Sequence, residues 1–308
     1  MDKIPQGLLL AISMAACLGC TIIRKYYSDK FSGGALPRYV YNAITAIVSA
    51  ISLFVLAVAD NGLASVTCAS LFTVLLAIAF GIITAVQQIM VLKSFETGPF
   101  AYTSVITSLS MLIPTLSGAL LFGESIAVIQ YFGIALMIVC LVLSVNRDSS
   151  SRKASFKWLV FCGIAFLCTG LIGVMQKWHQ NTEHAHELNA FLIIAFIIAF
   201  VYSVIMSIFS AKKEQKKSDG AKISTPFLRA LPLCLMTVAG ICIALNNMFN
   251  LYLSGVMESA VFFPLVNGGG LILTTLSALI IFREKLTVRQ WIGVGSGIAA
   301  VILLCNPF

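Results

Sequence analysis

The sequence predicts an all-α membrane protein of ten transmembrane helices, arranged as two inverted five-helix repeats. Three observations predict it: a composition suited to lipid, ten apolar runs of membrane-crossing length, and an internal repeat whose unit holds an odd number of runs. Of 308 residues, 59% are hydrophobic and 10% charged, against about 45–50% and 25% in an ordinary globular chain. A soluble protein of this length could not hide that much apolar surface. Lipid must be the solvent for most of the chain.

Runs of about 20 mostly apolar residues match the thickness of a bilayer core. They occur at Ile4–Ile23, Tyr39–Ala59, Leu71–Leu92, Phe100–Phe122 and Ser125–Val145, then at Phe156–Gln176, Leu188–Phe209, Phe227–Leu253, Ala260–Phe282 and Leu286–Leu304. The first is too long for a signal-peptide core and reads as a mature span. Gly123-Glu124 and Arg283-Glu284-Lys285 are short enough to force antiparallel helix hairpins. Two links are long and polar: 147–155 divides the chain in half, and Ser210–Pro226 reads as a solvated loop. The chain thus divides into a first repeat (1–146), a cytoplasmic linker (147–155) and a second repeat (156–308).

Of the 20 Lys and Arg residues, 18 fall in the stretches that follow odd-numbered spans, while Lys3 and Lys177 fall on the other side. The positive-inside rule puts the crowded side in the cytoplasm and both termini outside the cell membrane. That placement also accounts for the net charge of +8 without a nucleic-acid partner, so none is expected.

Sliding the chain on itself by 160 positions aligns Gly98–Asn146 with Glu258–Asn306 without a gap, and eleven of the 49 pairs are identical. The informative matches are polar or small: Thr115/Thr275, Ser117/Ser277, Glu124/Glu284, Gln130/Gln290, Gly133/Gly293 and Asn146/Asn306. Membrane composition alone does not hold Glu and Gln in register. Two copies of a five-span unit in one chain must have opposite orientations, a recurring device of secondary transporters.

Ser108-x5-Pro114, Phe122-Gly123-Glu124, Gln130 and Gly133, echoed by Phe282-x-Glu284, Gln290 and Gly293, resemble the EamA-type signature of the drug/metabolite transporter superfamily. The resemblance covers both halves. It implies a ten-helix transporter with a central cavity lined by spans 1–4 and 6–9, with spans 5 and 10 peripheral. Thr274 and Arg283, where the first half has Pro114 and Gly123, depart from close symmetry.

Several residues are candidates for function. Glu124 and Glu284 each lie just before a new span, where a carboxylate caps free backbone N–H groups. No Asp, Glu, Lys or Arg falls near the middle of a predicted span, which favours a neutral, zwitterionic or amphipathic substrate. Mid-span amides are the candidate substrate ligands: Asn42, Gln87, Gln88, Asn246, Asn247, Asn250 and Asn267. Unpaired amides in hydrocarbon cost several kcal/mol, so these face a wet cavity or glue helices together. Tyr102 and Phe262, with Phe100 and Phe263, begin spans 4 and 9 and either wall the cavity or face lipid. Pro264-x3-Gly268-Gly269-Gly270 is either a broken helix at the site or a close-packing surface. Gly293-x3-Gly297 reads as packing within the chain or between chains, compatible with monomer or homodimer.

The nine cysteines lie in or at the edge of apolar runs, and Cys17-x2-Cys20 reads as small packing residues. The three histidines collect in Trp178–Glu187, taken as a solvated outer loop; their spacing matches no zinc pattern, so no metal is expected. There is no nucleotide-binding glycine loop and no nucleophile with its base, so neither cofactor nor catalysis is expected. The partners are the bilayer and a small-molecule substrate. The reading is outward transport of a small organic metabolite by alternating access. The alternatives are a small-sugar importer on the same fold, and a membrane-embedded accessory or lipid-flipping protein.

Overall fold

The computed structural model describes residues 5–31, 33–61, 69–98, 100–143, 155–217, 226–281 and 287–305. Every regular element among them is helical. In chain order the α-helices are α1 (Gln6–Phe31), α2 (Ala35–Asn61), α3 (Leu71–Thr97), α4 (Phe100–Leu109), α5 (Leu112–Phe122) and α6 (Val128–Leu143). Then follow α7 (Phe156–Gln180), α8 (Leu188–Lys217), α9 (Ala230–Val256), α10 (Ser259–Ile281) and α11 (Val288–Cys305). Seven stretches among the described residues are long and apolar enough to cross a membrane. Their outer faces present large apolar side chains such as Ile51, Leu75, Leu120 and Phe156, which water would not tolerate in such number.

Local chemistry sets several boundaries. Ser70 and Ser155 cap α3 and α7 by accepting from Thr73 N and Trp158 N, each at 3.2 Å. Gly123, at φ 67°, adopts the left-handed conformation that ends α5, and Glu124 N–H then reaches back to Gly118 O at 3.1 Å.

Four expectations are corrected. The first helix runs on through Arg24 to Phe31 and is about 39 Å long; the charge of Arg24 made the apolar run seem to stop at Ile23. The fourth run is two helices, separated by a turn at Ser110 and Met111. Pro114 has no N–H to continue the ladder there, and Ile113 N instead bonds Ser110 O at 3.1 Å in a tighter turn. The helix of span 7 continues to Lys217, well into the supposed loop, because Lys and Glu are good helix formers. Finally, Trp178–Glu187 is only partly solvated: Asn181, Glu183 and His186 are exposed, but His179 is fully buried against Phe191, and Glu187 accepts from Ser70 N and Oγ at 3.0 and 2.8 Å.

The run containing Pro264 stays one helix, α10. A Cβ at Gly268 or Gly269 would strike Met137 of α6 or Met14 of α1, so those glycines admit neighbours. Gly297 likewise gives space to Ile272 and Cys140 within the chain.

The packing has a pattern. Helix α2 lies along α8 and α6 along α11; α1 packs on α9 as α3 packs on α7; α3 also packs on α8 as α9 packs on α2. Exchanging α1–α6 in order with α7–α11, with α4 and α5 taken together, maps this list onto itself. Two close crossings follow the same exchange: a Cβ on Gly81 of α3 would strike the Ala195 backbone of α8, and one on Gly240 of α9 would strike Val48 and Thr45 O of α2.

Candidate functional site, a polar cavity between the two halves

A helix presents positions i, i+3, i+4 and i+7 on one face. On α1 those positions are Cys17, Cys20, Thr21 and Arg24, and on α7 they are Thr169, Ile172, Gly173 and Gln176; both sets border one central cavity of about 240 Å³. Helices α3, α4, α5, α9 and α10 complete its wall. The α4–α5 break lies in that wall, contributing Thr107, Ser108, Ser110, Met111 and Pro114. Helix irregularity is tolerated at membrane depth where it lines a cavity. The volume is just below the roughly 300–1,000 Å³ of drug-sized ligand sites, so the cavity suits a small solute.

Most of the amide candidates meet here. Gln87, Gln88, Asn246, Asn247, Asn250 and Asn267 all line the cavity, as do Phe262 and Phe263. Each half supplies a bridge of the same kind. Arg24 Nη2 donates to Gln88 Oε1 at 2.6 Å, joining α1 to α3, and Gln176 Nε2 donates to Asn247 Oδ1 at 3.4 Å, joining α7 to α9. A second pair crosses between halves: Gln87 Nε2 donates to Thr169 Oγ1 at 3.1 Å, and Asn246 Nδ2 donates to Ser13 O at 3.1 Å. The amides therefore both bridge helices and border the cavity. A primary amide has two N–H groups and two acceptor lone pairs, enough to do both.

Asn42 lies elsewhere. It is buried and donates to Ala85 O at 3.2 Å and Ser203 Oγ at 2.8 Å, joining α2, α3 and α8; it acts as interhelical glue. Helices α2 and α8 contribute nothing to the described cavity wall, which is narrower than the resemblance implies. The side chain of Tyr102, Glu284 and the Gln290 side chain lie outside the described residues.

Arg24, read from sequence as lying just past the first span, belongs to the last third of α1. It is the one charged side chain among the described residues lining the cavity. Cys17 and Cys20, read from sequence as packing residues, also line it. Sequence reasoning further missed Gln176 and Thr169. The stripe on α1 was visible as four polar or small residues at helical spacing, ending in arginine. Hydropathy cuts the run at Ile23, because a charge in hydrocarbon is costly, a cost that the cavity and the Gln88 carbonyl offset here.

Next to Gln176, outside the cavity lining, lies a charge clasp. The buried Lys177 Nζ lies 2.5 Å from Glu124 Oε1 and donates to Met257 O at 3.0 Å, while Glu124 Oε2 accepts from Ser259 N at 2.8 Å. Glu124 thus sits at the start of α10, 135 residues away, not at the helix that follows it. Gly118 leaves the room: a Cβ there would strike Glu124 and Ser259. Gln130 completes the joint, its Nε2 3.3 Å from Glu258 Oε2. On the far side of the molecule Arg38 pairs with Glu96, and Trp158 Nε1 donates to Thr103 Oγ1 at 2.8 Å.

Residues 12–306 match the model of a family described as sugar transport protein. The chain belongs to that family. It is a membrane-transporter family of the drug/metabolite-transporter-like type, so this family member is a transport protein with multiple apolar helices, as the sequence led us to expect at that level. An uncharacterized protein of Haemophilus influenzae is 23% identical to this family member over 250 residues, 74% of each chain. A protein crystal structure superposes with a TM-score of 0.75 over 98% of this chain and 97% of that one, at 12% identity. That likeness concerns the fold.

Proposed function

We propose that the chain is a secondary transporter of a small polar organic solute, a sugar or related polyhydroxylated metabolite, across the cytoplasmic membrane. In this reading the halves 1–146 and 156–308, joined by 147–155, are inverted repeats that open the cavity to either side in turn. One observation carries it: an amide-lined cavity whose walls come from equivalent helices of both halves. The 160-residue repeat and the exchange-symmetric packing support the inversion. The family description and the hydrogen-bonding capacity of the amides favour a sugar over the broader neutral or amphipathic class. No Asp, Glu, His or Lys lies among the described lining residues and Arg24 keeps its proton, which favours exchange without a pH gradient.

The test is counterflow of D-glucose and related solutes in proteoliposomes without a pH gradient. Gln87→Ala and Asn247→Ala should each remove ligands worth about 1–3 kcal/mol, weakening the apparent affinity roughly five- to 150-fold while the protein still folds. Wild-type affinity in both variants would reduce the amides to helix glue. Exchange that requires a proton gradient would refute the coupling.

Orientation is tested separately. Both termini are proposed to lie outside, so membrane-impermeant cysteine labelling of intact cells should modify a tag after Phe308 and spare one at Ser218. The reverse pattern would invert the topology.

A further inference from the structure

We propose that Arg24 binds an anionic group of the solute and that the solute is a small polyhydroxylated monocarboxylate: a sugar acid, not a neutral sugar. The proposal rests on the transport reading above and narrows its substrate class.

The charge balance of the cavity comes first. No Asp, Glu or Lys lies among its described lining residues, so Arg24 gives the empty cavity one uncompensated positive charge. Its protein neighbours are neutral. Nη2 donates to Gln88 Oε1 at 2.6 Å and Cys20 Sγ at 3.4 Å, and the Tyr41 hydroxyl lies within its field. Nε is buried and has no hydrogen-bond partner. Glu96, further along α3, is engaged by Arg38. A half-buried cation on the cavity wall with only neutral partners has a place for an anion, and a guanidinium offers a planar fork that a carboxylate fills with two parallel hydrogen bonds.

The second half shows that this charge is not needed for architecture. Arg24 and Gln176 occupy the same place in the two helical stripes, and each bridges to the next lining helix. On the second side a neutral amide makes the bridge. The arginine therefore adds to one half something that helix packing does not require. The remaining wall supplies partners for hydroxyl groups: Gln87, Thr107, Ser108, Asn246, Asn250 and Asn267. One guanidinium amid neutral hydrogen-bonding groups matches a solute with one negative charge and several hydroxyls. A dianionic phosphate ester would leave a second charge uncompensated.

The experiment is equilibrium binding to the purified full-length protein in detergent. The probes are D-glucose, D-gluconate, D-glucuronate and D-glucose 6-phosphate, measured against wild type, Arg24→Lys and Arg24→Gln. At least one of the two acids should bind wild type tenfold or more tighter than glucose. Arg24→Gln should lose that preference, binding the acid no more tightly than glucose, and Arg24→Lys should keep part of it. If neither acid binds wild type more tightly than glucose, the proposal is overturned; that comparison needs no variant and stands even if Arg24→Gln does not fold. Tightest binding of the phosphate ester would overturn the single-charge assignment, and an acid preference that survives in Arg24→Gln would overturn the role of Arg24. Binding with the expected preference but no exchange in proteoliposomes would leave this proposal standing and sink the transport reading.

Discussion

Lys177→Met should lower the stability of the folded protein by about 3–5 kcal/mol, the usual consequence of removing one partner from a buried ion pair. The Lys177 side chain is 4% exposed and that of Glu124 16%. Without the ammonium, Glu124 keeps only its hydrogen bond from Ser259 N as compensation, and Met257 O loses its donor. Read from sequence, Glu124 is a helix cap whose replacement by Gln lowers stability but leaves residual transport, because a neutral amide still caps weakly. The structure makes it half of an ion pair, so Glu124→Gln should also be costly. Combining Lys177→Met with Glu124→Gln should recover much of the loss, because no unpaired buried charge then remains. Unfolding by sodium dodecyl sulfate, monitored by circular dichroism, gives all three numbers. A single-variant loss below about 1 kcal/mol is the size of an exposed pair and would show that the clasp is solvated.

Gly81→Leu should destabilise by about 3 kcal/mol, the upper end of the range for overpacking a close contact. The atoms a Cβ would meet are the carbonyl group of Ala195 and, at 3.0 Å, Ile198 Cβ. Backbone cannot rotate aside as a long side chain can, so α3 and α8 must separate. Gly240→Leu, at the exchange-related crossing of α9 on α2, should behave alike. Gly163→Leu is the control: it lies in α7 with nothing within 4 Å of its Cβ position, so its effect should be neutral or slightly stabilising, since leucine is the better helix former. Equal effects at Gly81 and Gly163 would show that the first crossing is not tight.

Hydropathy made the helices legible, because each apolar run has only lipid or other helices to face, and helix is the one open structure that satisfies its own backbone there. It could not show which face of a helix turns inward. Asn42 and Asn246 read alike in sequence, yet one bridges three helices and the other borders the cavity, a difference set by packing between distant segments. Proline was equally ambiguous. Pro114 ends up at a break while Pro264 sits inside a continuous helix. The Ser and Thr residues at 107, 108 and 110, which can bond the backbone locally, were the available sign that the first would yield. The partner of Glu124 was out of reach, since nothing in the local sequence points across 135 residues to Ser259.

The lone guanidinium of the cavity also has an electrical side. A charge that changes its position relative to a membrane potential exchanges about 2.3 kcal/mol with it for every 100 mV crossed. When the cavity is empty, Arg24 carries one positive charge within it; with a monoanion seated against it, the pair is nearly neutral. Voltage should therefore act mainly on the return of the empty carrier and little on the loaded step, so that the resting potential, not the solute gradient alone, sets how fast the protein resets.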